Sequence, residues 1–174
     1  LKARFPTIIF KAYTSHTIFS EAELPFSLED LPPSFSKFRR KVEILAITQP
    51  LKAPTYLPAR PGNIEAWENP KIGPQRGNTS VHFHGGEIAA SMHLEKYFSS
   101  RHASSYKETR NGLDGMTYST KFSPWLSNGS LSVRRVISRL RKYESDCEAN
   151  DSTYWILFEL LWREYFQWYA HRFK

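Results

Sequence analysis

With 174 residues, 40% of them apolar and 15% aromatic, the chain holds about one domain's worth of material and enough apolar mass for a core. Its net charge of +7 suits an anionic partner such as nucleic acid or a phosphate-bearing cofactor, and is equally compatible with a merely basic soluble protein. A lone cysteine, Cys147, excludes an internal disulfide framework and a cysteine-based zinc site, and no apolar run reaches the ~18 residues of a membrane span.

The chain opens on "LKARFPTIIFKAY", whose apolar stretch is short and broken by Pro6, unlike a signal peptide. Residues 7 to 13 read as a short β-like run. Ser34, after two prolines, is a candidate N-cap for a helix on which Phe35, Phe38 and Val42 recur at helical spacing. Six of the eleven prolines then fall between Pro50 and Pro74, which excludes a long helix or a central strand there. This stretch reads as an extended connector, and its Tyr56, Leu57, Ile64 and Trp67 suggest that it packs on a surface.

The composition changes after Gly86. A helix is expected from about residue 86 to 99, with Ile88, Met92, Leu94 and Tyr97 on its inner side. A turn-rich stretch follows, with Asn111-Gly112 and Asp114-Gly115. Another helix should start near Ser123-Pro124, and a longer one should bury Val133, Val136, Ile137 and Leu140 beneath basic residues. The last helix follows Asp151-Ser152-Thr153, a capping cluster. The second half is thus all-α, behind a β-containing remnant and a linker.

Three places carry candidate chemistry. His82 and His84 could share one side of a strand, but two residues make a weak metal site, and polar residues opening a helix explain them as well. Ser119, Thr120 and Ser123 surround Lys121 just before a helix start, so they could hold a diphosphate or simply cap the helix. On the last helix Trp155, Glu159, Trp162 and Phe166 share a face, with Arg163 four residues beyond Glu159. Glu159 either pairs with Arg163 in a core helix or stands beside Trp162 at the floor of a base-reading pocket.

Three segments, "YKETRNGLDGMTYSTKFSPWL", "KYESDCEANDSTYW" and "FELLWREYF", resemble the flavin-binding domain of the photolyase/cryptochrome family, and within it the cryptochrome DASH branch. "LPFSLEDLPPSFSKFRRKVE" and "HGGEIAASMHLEKYF" resemble the segments just upstream. The resemblance implies a mostly α chain: residues 1–47 ending an α/β antenna domain, 48–84 a connector, and 85–174 the first part of a helical FAD-binding domain. It implies a blue-light flavoprotein that splits cyclobutane pyrimidine dimers, preferably in single-stranded DNA. FAD is its cofactor, and a folate-type antenna pigment (methenyltetrahydrofolate) serves the intact protein. A blue-light signalling receptor on the same fold is the alternative, and a flavin-free basic module binding single strands is a third reading.

Carried over residue by residue, Tyr106, Ser119, Thr120, Lys121, Phe122, Ser123 and Arg163 match flavin-contacting positions. Arg110 matches a DNA-contacting arginine. Glu159 and Trp162 match the catalytic pair that reads the dimer, with Glu159 expected on Arg163 or water when DNA is absent. Glu164 stands where DASH members usually carry Asp, Val133 replaces a proline, and Asn128-Gly129 loosens a turn. The remaining flavin contacts, the tryptophan relay and most of the antenna site are expected outside these 174 residues. The piece alone is therefore expected to bind FAD weakly or not at all and to be inactive. The whole protein is expected to be a monomer, intracellular (cytoplasm, chloroplast or mitochondrion) and without a membrane or metal partner.

Overall fold

A computed structural model describes residues 2–11, 13, 15–59, 62, 83–113 and 115–173. Its α-helices are α1 (Phe35–Val42), α2 (Glu87–Ser99), α3 (Tyr106–Thr109), α4 (Ser123–Asn128), α5 (Val133–Asp146) and α6 (Asp151–Arg172). Among the described residues there is no strand, and none of their helices is long and apolar enough to cross a membrane.

The longest helix, α6, is the spine. Asn150, rather than the Asp-Ser-Thr cluster beyond it, is its N-cap: the Asn150 side chain accepts from the amides of Ser152 and Thr153. Thr153 Oγ1 answers by accepting from the Asn150 amide at 3.0 Å, so donors that a helix start leaves orphaned are paired locally. From this start α6 lays Ile156, Leu157, Leu160 and Leu161 into the core. On α5 the expected stripe of Val133, Val136, Ile137 and Leu140 is buried, joined by Tyr143. Ser34 does cap α1 by position, in extended conformation, and Phe35, Phe38 and Val42 are buried. Its hydroxyl makes no capping bond; the Phe38 amide bonds to the Ser34 carbonyl instead.

Four expectations shift. On α2 the buried residues are Ala90, Leu94, Tyr97 and Phe98, while Ile88 and Met92 are exposed. Ala90, Leu94, Tyr97 and Phe98 form the inner stripe at i, i+4, i+7 and i+8. The β-like run at residues 7 to 13 is turn and irregular chain wherever described, because a strand needs a neighbour to complete its ladder and none is supplied. In the connector Tyr56 and Leu57 lie exposed rather than packed, and Ile64 and Trp67 fall outside the described residues, as does His82. Gly129 does not loosen its turn. It adopts φ 79, closing α4 in the left-handed region while the Leu131 amide bonds back to the Trp125 carbonyl.

Residues 16–31 are tied to the helices by side chains. Glu164, fully buried on α6, accepts hydrogen bonds from the amides of Ile18 (2.7 Å) and Phe19 (3.1 Å) and from Trp168 Nε1 (2.7 Å). Arg134 donates to the Ile18 carbonyl at 2.6 Å, Arg163 to the His16 carbonyl at 2.6 Å, and Arg172 to the Leu31 carbonyl at 3.0 Å. Burial pushes the Glu164 carboxyl pKa upward, against the pull of its three donors and of Arg163.

Replacing Glu164 strands two buried backbone amides and an indole N–H. Glu164→Ala is expected to lose about 3–5 kcal/mol in urea unfolding. Glu164→Gln, which keeps one acceptor oxygen, should lose clearly less; equal losses would mean that the two amides find other partners.

Glu23 provides a pH signature. The Ser20 amide, the Thr48 hydroxyl and the Ser20 hydroxyl all donate to its carboxylate, with Arg134 nearby, and its pKa is lowered from 4.5 to about 2. A depressed carboxylate stabilises the fold above its unfolded pKa, and that contribution is lost as pH falls through the folded value. Stability should therefore decline between about pH 4.5 and 2 partly through this group. Glu23→Gln should flatten that part of the acid-unfolding curve.

Candidate functional site

A cleft of about 570 Å³ opens between α3, the loop before α4, α4 itself, α6 and the strap at Ser15 and His16. Of the residues singled out from the sequence, it brings together Tyr106, Thr120, Phe122, Ser123, Glu159 and Arg163. Its lining combines the apolar side chains of Phe122, Leu126, Ile156 and Leu160 with the hydroxyl-bearing Thr120, Ser123 and Ser127 and with Gln167.

Each side chain is placed by its element. Tyr106 begins α3 and is buried; desolvation first, then the Glu159 charge, push its phenol up to about 12, so it stays a neutral donor at ordinary pH. Arg163 is half-buried and braced between the carbonyls of His16 (2.6 Å) and Leu126 (3.3 Å), and desolvation lowers its pKa. It brings positive charge to the cleft floor while fixing the strap to α4. α4 has only six residues, so its dipole is weak, and anion binding here would rest on the hydroxyls and Arg163 rather than on the helix end.

The partner expected for Glu159 is wrong. Arg163 is occupied elsewhere, and Glu159 Oε1 instead accepts from Arg110 Nη1 at 2.6 Å. The i+4 spacing allowed a Glu159–Arg163 pair, but Arg163 turns to the carbonyls of His16 and Leu126 instead. Arg110 also lies 5.3 Å above the Trp155 ring, which Lys107 approaches to 5.5 Å.

Trp162 is half-buried and does not line the cleft. Its ring stacks on Phe35 of α1 at 3.8 Å and 16°, with Phe166 at 5.6 Å. Ser119 and Lys121 also stand outside the lining. Lys121 has φ 52, the one positive value for a non-glycine among the described residues, a conformation costing ~1–2 kcal/mol for a side chain with a Cβ. Its ammonium reaches the Leu113 carbonyl at 3.5 Å. Sequence reasoning missed His16 and Gln167, and named Glu164 only as a motif position without its role. Only the strap, more than 140 residues away in the chain, gives Glu164 its role, and no local pattern signals that. Among the described residues no group of three or more His, Cys, Asp or Glu could hold a metal.

The donor set fits an amphipathic phosphate ligand. The lining includes hydroxyls and a guanidinium together with aromatic and aliphatic surface, and the volume lies in the range of ordinary ligand pockets.

No family model matches the chain. It is 47% identical over its whole length to cryptochrome DASH of Vibrio parahaemolyticus, and 50% identical over 98% of its length to cryptochrome DASH of Idiomarina loihiensis. The crystal structure of a Synechocystis cryptochrome superposes with a TM-score of 0.83 at 40% identity, over 92% of this chain and 35% of that one. The chain belongs to the DASH branch of the photolyase/cryptochrome family. It spans 38% of the length of each of those two bacterial relatives. The mostly helical fold expected from the resemblance is that of the aligned part of the cryptochrome. A plant relative, from Oryza sativa, is named a chloroplastic/mitochondrial cryptochrome DASH at 40% identity.

The Arg110–Glu159 pair is about one-third exposed on both sides. A double-mutant cycle of Arg110→Ala and Glu159→Ala should give a coupling energy of at most about 1 kcal/mol. Several kcal/mol would show the pair to be a structural ion pair.

Proposed function

We propose that this cleft is one wall of an FAD site in a DASH cryptochrome that repairs cyclobutane pyrimidine dimers, preferably in single-stranded DNA. The observation that supports this is convergence. Tyr106, Thr120, Phe122, Ser123, Glu159 and Arg163, from three separate segments, meet in one cleft whose lining mixes apolar and hydroxyl-bearing side chains. Residues 1–47 are taken as the end of the antenna domain, 48–84 as the connector and 85–174 as the first part of the flavin domain. The intact protein carries a folate-type antenna pigment.

Bound flavin supplies the light-driven electron that the dimer borrows and returns. The chain's own residues bind and orient. Thr120 and Ser123 offer hydroxyl donors to diphosphate oxygens, and Arg163 holds the strap while supplying positive charge. Phe122, Leu126 and Leu160 keep water from the bound ligand. Glu159 is the group that accepts hydrogen bonds from the dimer, and Trp162, which stacks on Phe35 outside the cleft, is the aromatic against which the dimer would pack. The salt bridge sets the order of events. Arg110 neutralises Glu159 until a DNA phosphate draws the guanidinium away, and the freed carboxylate then turns to the base edge. A signalling receptor does not need the Glu159–Trp162 pair, which favours repair over that reading.

The test inserts these 174 residues in place of the matching region of the Vibrio parahaemolyticus relative. Flavin absorbance after dialysis and loss of dimers from single-stranded DNA under blue light, not in darkness, are expected. Glu159→Ala should lower repair roughly 10- to 100-fold, the worth of a hydrogen bond to a charged group. Arg110→Ala should reduce the salt slope of DNA binding by about 1. The 174-residue chain alone should bind FAD weakly and repair nothing. A chimera that keeps flavin and never repairs would give the signalling reading precedence, and one without flavin would sink both.

A further inference from the structure

His93 lies on α2, outside the cleft lining, yet it touches the loop that enters the cleft. Its Nε2 is 2.8 Å from the Thr120 carbonyl oxygen. A carbonyl oxygen only accepts, so Nε2 carries the proton and donates. The ring is held on two sides: Trp125 lies 4.9 Å away at 33°, and Phe122 meets it edge-on at 5.6 Å and 82°. Trp125 is fixed in turn, because its Nε1 donates to the His84 carbonyl at 2.8 Å.

The bond falls at a telling point in the chain. The Thr120 carbonyl and the Lys121 amide share one peptide plane, and the φ of Lys121 is the rotation measured from that plane. Lys121 sits at φ 52, where a residue with a Cβ stays only if its surroundings over-determine it. Anchoring the Thr120 carbonyl holds the plane, and so holds Thr120 on one side and Phe122 and Ser123 on the other as they enter the cleft.

We propose that His93 is a positioning residue that fixes the shape of the 119–123 loop and thereby aims the Thr120 and Ser123 hydroxyls at a diphosphate-bearing ligand. The identity of that ligand rests on the flavin reading; the shape of the loop does not.

The experiment uses the 174-residue chain with His93→Ala, His93→Gln (whose amide can still donate to Thr120) and Met92→Ala as an exposed neighbouring control. Long-range proton–nitrogen NMR should find the His93 proton on Nε2. Amide hydrogen exchange at Lys121 and Phe122 should quicken roughly three- to tenfold in His93→Ala, as expected for one lost hydrogen bond, and recover in part in His93→Gln. Equilibrium dialysis should show FAD affinity falling by a similar factor while riboflavin, which lacks the diphosphate, is spared. If the wild-type chain binds neither compound but the loop still responds to His93→Ala, the positioning role stands, and the same FAD and riboflavin dialysis on the chimera with and without His93→Ala decides the flavin reading. A proton on Nδ1, or loop exchange in His93→Ala no faster than in Met92→Ala, would overturn the proposal.

Discussion

The structure depends on a carboxylate in its core. Glu164 is charged chemistry placed where water does not reach, and it is tolerable only because three N–H groups converge on it. Two of those groups are consecutive backbone amides of a segment without regular secondary structure. A sheet would have paired them with a neighbouring strand; here a side chain does the work of the missing strand. Because the amides of Ile18 and Phe19 have one specific acceptor, the strap has one specific place. Burying Ile18 and Phe19 then follows from the position of Glu164 rather than from any periodicity of their own.

The same placement builds the cleft. Once Glu164 fixes Ile18 and Phe19, His16 lies where the next residue of α6, Arg163, can reach its carbonyl, and Ser15 and His16 become the cleft's rim. Adjacent residues on one helix thus divide the labour: Glu164 faces inward and holds backbone donors, and Arg163 faces the cleft and holds backbone acceptors. Arg134 completes the grip from α5, donating to Ile18 while pairing with Glu23. The hydrogen bonds that satisfy the strap are also the ones that shape the site, so loosening one disturbs both.

Much of this was legible in the sequence, and the reason differs from part to part. Helices α1, α5 and α6 follow from local spacing, because the stripes Phe35–Phe38–Val42 and Val133–Val136–Ile137–Leu140 have one sensible core face each. On α2 the pattern offers two faces, and Ile88 and Met92 make the outer one look apolar. Only the tertiary packing of α2 selects the face carrying Ala90, Leu94, Tyr97 and Phe98. The candidate cleft residues were found through motifs, and most of them do converge. What spacing could not give was partnership. Glu159 has a cation four residues on and another 49 residues back, and the distant one, Arg110, wins because backbone carbonyls claim the near one.

Two glutamates five residues apart on one helix therefore carry opposite properties. Glu164 is buried, its partners are backbone and indole N–H groups that have nowhere else to go, and exchanging them would unfold the strap. Glu159 is partly exposed, and its partner is a long, flexible arginine beside an open cleft. In water-accessible surroundings such a pair is worth little net energy, so a phosphate or another anion can compete for the guanidinium without disturbing the fold. The proposed repair role asks for a carboxylate held weakly at rest, whereas a carboxylate that organises backbone has to be held strongly. Burial along α6 separates the two: the helix turns Glu164 into the core and leaves Glu159 at the edge of the cleft, where α3 and Arg110 stand opposite.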